Sequence, residues 1–317
     1  MTTPTTSTAA DRPLDDDLAR HARAVRAELV HALEPHRAAL FTFCRALTHD
    51  VWDAEDLVQE TLARALVTLA GTFETVDNPR GWLLRVAHNL AVDQWRRHRA
   101  VPVAEVPERP APPQHDPGEL RDALAVVAQL PPQESAVVVL REAFGCTAPE
   151  IADILGTTTG AVKTALHRGR RRIAAPRPVA TRGVPGALLE RLAAAFATYD
   201  VDVVAQLFAE RSTVDIVGTA VEHGREVIRA GSLTHMLVTE AEQVRYRAEP
   251  AWVDGRPVLA LYEDAAGTRG PLADLLRVEE RDGQVTVVRW YYYCPEVIQH
   301  AARELGVPWR THGHLDR

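Results

Sequence analysis

Apolar residues in the first half of the chain recur every three to four positions, which predicts amphipathic helices. The helical segments cover 18–48, with an interruption at Pro35, and then 53–71 and 78–97. Prolines crowd residues 100–117 without any apolar period, so this segment is predicted to be a linker. Helical spacing resumes beyond it.

The stretch 130–173 contains two short helices that meet at a turn. Thr147 is a good N-cap and Glu150 follows three residues later, which together form a capping box. Gly156 then breaks the first helix, and Thr159 lies at the start of the second. Two helices joined by about 3–4 residues with a glycine indicate a helix-turn-helix. Its second helix would lie in the major groove of DNA.

This second helix carries a run of cations with no acid among them. The side chains expected on its outer face are Thr158, Thr159, Lys163, Thr164, His167, Arg168 and Arg171. Such a run suits phosphate binding, but basic helices also occur as solvated faces in proteins that never bind DNA. The pattern alone leaves both interpretations open.

Beyond residue 186 the pattern changes from helices to alternating strands. An amphipathic helix at 186–199 and a short second helix come first, and strand-like alternation follows. The predicted strands lie at 212–218, 244–249, 257–264 and 272–294, the last containing a hairpin turn at Asp282 and Gly283. Helices followed by a curved antiparallel sheet indicate an α+β domain.

The composition limits the classes of partner. The chain has 317 residues and a formal net charge of −7, so nucleic-acid binding would depend on a local basic patch. Cys44, Cys146 and Cys294 lie far apart without metal-ligand spacing, which predicts free thiols in a reducing cytoplasm. No apolar run reaches the ~20 residues that a membrane span needs. We expect a cytoplasmic protein with no membrane contact, no metal site and no cofactor.

Two of the helices carry polar clusters of different kinds. The acids at the start of the 53–71 helix are Asp50, Asp53, Glu55, Asp56 and Glu60. The helix dipole accounts for two or three of them, and the excess predicts a surface for a basic partner. The 78–97 helix combines cations, amides and two tryptophans, which suits contact with single-stranded bases and phosphates.

Three motifs at family spacing resemble one family. DAEDLVQETLARAL at 53–66, PRGWLLRVAHNLAVDQWRR at 79–97 and the 130–173 stretch are similar to a group 4, extracytoplasmic-function sigma factor of the sigma-70 family. The likeness spans about residues 23–174 and implies two all-α domains, the second a helix-turn-helix.

The resemblance implies a role for each cluster. The residues that would bind the β′ clamp helices of core RNA polymerase are Asp53, Glu55, Asp56, Gln59 and Glu60. Those that would melt and recognise the single-stranded −10 element are Arg85, His88, Asn89, Asp93, Arg96 and Arg97. The outer face of the 158–171 helix would recognise the −35 duplex, and its domain would contact the β flap. Ala161 and Ala165 stand where the family often has Thr and Arg, which removes one expected base contact and one phosphate contact.

The last third resembles the SnoaL-like domains of the NTF2-like superfamily, which have a cone-shaped sheet closed by helices over a pocket. The residues that would line such a pocket are Asp215, His223, Arg225, Trp252 and Tyr262. No spacing among them singles out an acid–base pair, so no catalytic residue is assigned and no enzyme activity is expected. A small ligand and regulation of the helical domains in cis are the expected uses.

The expected organisation follows from these two resemblances. The segments are a disordered N-terminus at 1–17, sigma region 2 at 18–99, a Pro-rich linker at 100–117, sigma region 4 at 118–175, a linker at 176–185, a SnoaL-like domain at 186–293, and a C-terminal helix and tail at 294–317. Two alternatives stay open. One is a SnoaL-like isomerase or cyclase fused to a DNA-binding module, and the other is a helix-turn-helix regulator that acts without polymerase.

Overall fold

A computed structural model describes residues 24, 28, 31–71, 76–100, 130–173, 186–265 and 267–310. Its first half is helical. A 3₁₀ turn at Glu34–His36 contains Pro35, so the predicted interruption is confirmed. The helices that follow are α1 at Arg37–Thr48, α2 at Val51–Gly71 and α3 at Pro79–Ala100.

The helix-turn-helix is built from α4 at Pro132–Glu142, α5 at Ala148–Leu155 and α6 at Thr159–Ile173. The predicted capping box is present, because Thr147 N donates to Glu150 Oε2 at 2.6 Å and Glu150 N donates back to Thr147 Oγ1 at 3.4 Å. Gly156 ends α5 with a φ of 61°, a backbone conformation that glycine adopts without strain. The sharp turn between α5 and α6 follows from it.

The second half is an α+β domain, as predicted. Its helices are α7 at Ala187–Phe196, α8 at Val201–Ala205 and α9 at Arg225–Ile228, and α9 continues through irregular helical turns to Glu242. The strands are β1 at Phe208–Ile216, β2 at Ala220–His223, β3 at Tyr246–Val253, β4 at Arg256–Ala265, β5 at Thr268–Arg281 and β6 at Gln284–Trp290. The helix α10 at Pro295–Leu305 follows the sheet.

The six strands form one sheet in the order β2-β1-β6-β5-β4-β3. The expectation of a fully antiparallel sheet is wrong, because β1 and β6 pair in parallel. The helical segment after β2 carries the chain across to the far edge, and three hairpin-like steps then bring β6 back beside β1. The turn at Asp282 and Gly283 joins β5 to β6 as predicted, with positive φ at both residues.

Two hydrophobic cores are present in the described part of the chain. One fills the side of the sheet that α7, α8 and α9 cover, and includes Phe196, Phe208 and Trp290. The other is continuous from α1, α2 and α3 through the helix-turn-helix to the opposite face of the sheet and α10. Trp52 of α2 and Tyr291 meet in it with ring centroids 4.8 Å apart. The helical half and the α+β domain therefore share one interior.

Several predictions lie outside the described residues. These are the N-terminus at 1–17, most of both linkers, and the helix expected between 118 and 129. The domain boundaries placed there stay predictions. Across the described part of the chain, no helix has the length and apolarity needed to cross a membrane.

Candidate functional site

The outer face of α6 is exposed along its whole length. The predicted residues on it, all exposed, are Thr158, Thr159, Lys163, Thr164, His167, Arg168 and Arg171. Thr158 has a structural role as well, since its Oγ1 accepts from Ala161 N at 3.2 Å and caps the helix. The three cations therefore project from a helix whose start is fixed.

The other cations of α6 attach it to α4. Arg170 pairs with Glu142 at 2.5 Å and Arg172 with Glu134 at 2.8 Å. The two helices approach closely at Gly169, where a Cβ would lie 2.7 Å from Val138 Cγ2. These contacts present the opposite face of α6 to solvent.

The expected loss of a phosphate contact at Ala165 is wrong. Ala165 is buried against the core of the helix-turn-helix, beside Val162. A longer cationic side chain at this position would point into the core and not toward DNA. Ala161 is half-buried at the edge of the outer face, so its expected effect stays a prediction.

Helix α3 offers a second exposed polar face. Asn78 fixes its start, because Asn78 Oδ1 accepts from Gly81 N at 2.9 Å. Four of the predicted residues are exposed: Asn89, Asp93, Arg96 and Arg97. Trp95, one of the two tryptophans expected on this helix, is 41% exposed beside them. The end of α3 thus combines cations, an amide and a partly exposed aromatic ring.

His88 does not belong to that face. It is 7% exposed, and its Nδ1 has no hydrogen-bond partner among the described residues. Burial lowers the pKa of His88 to about 4, so the imidazole is neutral near pH 7. In this arrangement it packs in the helical core and cannot contact DNA.

Arg85 joins α3 to the helix-turn-helix. Its Nε donates to Ile154 O at 3.1 Å and its Nη2 donates to Asp153 O, both at the carboxyl end of α5. Cations at this end of a helix satisfy free carbonyls and oppose the helix dipole. Arg80 stacks over the Phe144 ring at 4.6 Å nearby. The two predicted DNA-binding elements are therefore in direct contact here.

The acidic helix α2 is covered on one side. Glu55 is fully buried and accepts from Arg37 Nη2 at 2.7 Å and from Gln59 Nε2 at 2.6 Å. Arg37 also donates to Glu296 of α10 at 3.1 Å. Glu55 is thus part of a buried ion-pair network, and the prediction that it binds polymerase does not fit this structure.

Arginines of the α+β domain contact the other acids of α2. Arg256 Nη2 lies 3.0 Å from Asp50 Oδ2 and 3.3 Å from Asp53 Oδ1, and Arg289 donates to Asp56. Glu60 is exposed. These two arginines could not be predicted from their local sequence, since an isolated arginine in a strand is common on solvated surfaces.

The five predicted pocket residues divide between two ends of the sheet, and His223 on β2 and Arg225 at the start of α9 lie at the same end as Asp215. Asp215 lies on β1 and pairs with Arg289 at 3.1 Å, while Trp252 and Tyr262 lie on β3 and β4. Four strand spacings separate β1 from β3, which is roughly 19 Å along the sheet. Tyr262 also belongs to the core shared with the helical half, not to the core beneath α7, α8 and α9.

A different polar cluster lies on the side of the sheet that α7, α8 and α9 cover. Asp274 is 2% exposed and accepts from the Trp290 indole N–H and from Leu275 N. Burial raises the pKa of Asp274 well above its usual range. The hydroxyls of Tyr246 and Tyr292 both donate to Glu240 Oε1, at 2.7 and 2.9 Å. Asp274 was missed because it lies in a strand that is apolar on both sides.

Two known protein-family models match the helical half of the chain. The family model for sigma-70 region 2 matches residues 32–101, and the model for sigma-70 region 4 matches residues 120–173. The chain therefore contains both helical regions of a sigma-70-type factor.

Curated relatives narrow the family. The ECF RNA polymerase sigma factor SigL of Mycobacterium tuberculosis is 35% identical over 161 residues, covering 48% of this chain and 90% of SigL. SigG of the same species, also an ECF RNA polymerase sigma factor, is 33% identical over 213 residues, covering 55% of this chain. The chain belongs to the ECF sigma factor family. It spans 57% of the length of SigG.

One solved structure extends over both halves. The crystal structure of the Mycobacterium tuberculosis extracytoplasmic function sigma factor SigJ matches 82% of this chain and 95% of its own, at 22% identity and a TM-score of 0.32.

Proposed function

We propose that this chain is a sigma factor, which binds core RNA polymerase, brings it to promoters and starts transcription without covalent chemistry of its own. The observation that carries the proposal is the exposed cationic face of α6 on a helix-turn-helix, in a chain that belongs to the ECF family. Phosphate contacts would position the domain, and a few side chains would contact bases.

Each of the two DNA-binding faces would bind a different element of the promoter. The seven exposed residues of α6 would recognise the −35 duplex in the major groove. Asn89, Asp93, Arg96 and Arg97 on α3 would hold the −10 strand once the duplex opens, with Trp95 available for base stacking. Arg85 joins this set only after it leaves the end of α5.

Both faces can act together only if the two modules separate. The −10 and −35 elements lie about 25 base pairs apart, which is roughly 85 Å of duplex at 3.4 Å per base pair. Helices α3 and α5 touch through Arg85. For both faces to act together, the Arg85 contact has to break and the linker predicted at 100–117 has to allow the modules to move apart.

Docking on the polymerase would use α2. Asp53, Asp56 and Glu60 are at least partly exposed, and with Gln59 they would face the basic side of the β′ clamp helices, while the helix-turn-helix contacts the β flap. A protein with this activity works in the cytoplasm. The α+β domain shares a core with α2, and we infer that it controls this docking in cis.

Transcription from a library of bacterial genomic fragments tests the function. Core polymerase with the full chain is expected to produce transcripts whose mapped starts share sequence at −10 and −35, and core polymerase alone is not. A tight complex of the chain alone with the same sites, without new transcripts, would favour the polymerase-independent regulator.

A further inference from the structure

The turn between β3 and β4 lies against the start of α2. Asp254 and Gly255 form this two-residue turn, with φ of 49° and 73°. Asp254 Oδ2 accepts from Val51 N at 2.6 Å, so a carboxylate of the α+β domain caps a helix of the other half. Arg256, the next residue, contacts both Asp50 and Asp53.

The turn is held from both sides. Arg45 of α1 donates to Asp254 Oδ1 at 3.1 Å, and Asp254 N donates to Glu304 Oε2 of α10 at 2.9 Å. Asp254 thus bonds to α1, α2 and α10 at once. These contacts hold the turn in a defined position against the three helices.

A second contact lies further along α2. Arg289 of β6 bonds Asp215 of its own domain and Asp56 of α2. The neighbouring residue Gln59 lies against Gly218, where a Cβ would come within 2.8 Å of Gln59 Oε1. A side chain at position 218 would therefore have to displace the Gln59 amide, which shows how closely the two halves approach here.

The contacts fall on the surface that the sigma-factor function needs. Of the residues predicted to bind polymerase, Asp53 and Asp56 are bonded by arginines of the α+β domain, and Gln59 lies against Gly218 in the turn between β1 and β2. The side chains of Asp53 and Asp56 remain 46% and 42% exposed. The arginines thus neutralise these acids more than they bury them.

We propose that Arg256 and Arg289 form an intramolecular stand-in for the basic surface of core polymerase, and that the α+β domain and the polymerase compete for the acids of α2. The proposal rests on the proposed function and gives the cis regulation its sign, which is inhibitory. Core binding requires the two arginines to leave Asp53 and Asp56.

Full removal of the domain is not required. The two halves share a core that contains Trp52 and Tyr291, and complete separation would expose both rings to water. A small rotation that breaks the arginine contacts and keeps this core suffices for competition. For the same reason a truncation near residue 177 is a poor test, because it removes part of the interior of the helical half.

The test uses the full chain with Arg256→Gln and Arg289→Gln combined. We expect its affinity for core polymerase, measured at fixed salt, to rise about fivefold, because the change removes the ion pairs with Asp50, Asp53 and Asp56 and so favours the competent state. Arg229→Gln is the matched control, since it breaks the exposed pair with Asp202 inside the α+β domain and should leave affinity unchanged. Arg256→Lys combined with Arg289→Lys keeps both charges and should stay near the wild-type value.

Hydrogen exchange gives an independent measurement. The Val51 amide, capped by Asp254, should exchange faster in the glutamine double variant while the amides of α6 stay unchanged, which separates local opening from unfolding. Equal or weaker core binding by a folded double variant overturns the competition and leaves the sigma-factor function intact. Failure of the wild type and of every variant to bind core polymerase overturns both.

Discussion

The acidic helix α2 and the basic helix α6 carry opposite charges, and the fold treats them differently. The acids of α2 meet a buried arginine from α1 and two arginines from the α+β domain. The outer cations of α6 face solvent, and only Arg170 and Arg172 pair with α4. One charged surface already has a partner within the chain, while the other is open to an outside one.

The difference shows that the function of a charge cluster depends on which oppositely charged side chains the fold places beside it. A cluster predicts the sign of a partner but not whether the partner is another protein or a later part of the same chain. On α2 both apply, because Glu55 is sequestered whereas Asp53 and Asp56 stay within reach of solvent. Mutations that remove the charges around α2 should therefore change the stability of the protein, whereas mutations on the outer face of α6 should change its DNA binding.

The largest effect is expected from Arg37→Ala. The change leaves Glu55 fully buried without its cation, and breaking a buried pair on one side costs about 3–5 kcal/mol. Urea unfolding of the full chain measures this. Because the network includes Glu296 of α10, the loss should appear in probes of both halves.

Arg170→Ala is the matched control for that change. It also removes an arginine–glutamate pair, but both of its side chains are more than half exposed. Exposed pairs of this kind contribute about 1 kcal/mol or less. Equal losses for the two variants would contradict the buried network.

The fold was predictable where the signal is local. Helix starts at Thr147 and Asn78, the break at Pro35 and the Asp282–Gly283 turn follow from capping and turn chemistry, and the structure has all four. The parallel pairing of β1 with β6 was not predictable, because it depends on which strands meet after a long crossover.

The residues of the candidate site could also be predicted only where the signal is local. The outer face of α6 follows from helical periodicity, so its exposed residues could be named. His88 and Ala165 could not be placed, because their burial depends on which helix packs over them. The same Asp-Gly signal occurs at 254–255 as at 282–283, but nothing local shows that its carboxylate caps α2.

A smaller effect is expected from acid pH at His88. Its pKa in the folded state is about 4, below the 6.5 of an unperturbed imidazole. As the pH falls, the unfolded chain takes up a proton on this imidazole before the folded chain does. The folded state is therefore most stable above about pH 6.5, and it loses this stability as the pH falls toward 4. The shift corresponds to about 3 kcal/mol. We expect the free energy of unfolding to fall less between pH 7 and pH 4 in His88→Gln than in the wild type. If the two proteins lose the same free energy over this range, the prediction is wrong.

The smallest changes test the open helix. Lys163→Ala should leave unfolding unchanged because the side chain is exposed, and should weaken promoter binding by the holoenzyme in a salt-dependent way. Losing one phosphate contact lowers the salt slope by about 0.9, so the loss of affinity at 50 mM salt should exceed that at 200 mM by a factor of about 3.5. Arg281→Ala removes an exposed cation of the α+β domain and is the control. If both variants keep the wild-type slope, the outer cations of α6 do not touch DNA, and the outer face of α6 is then only a solvated surface.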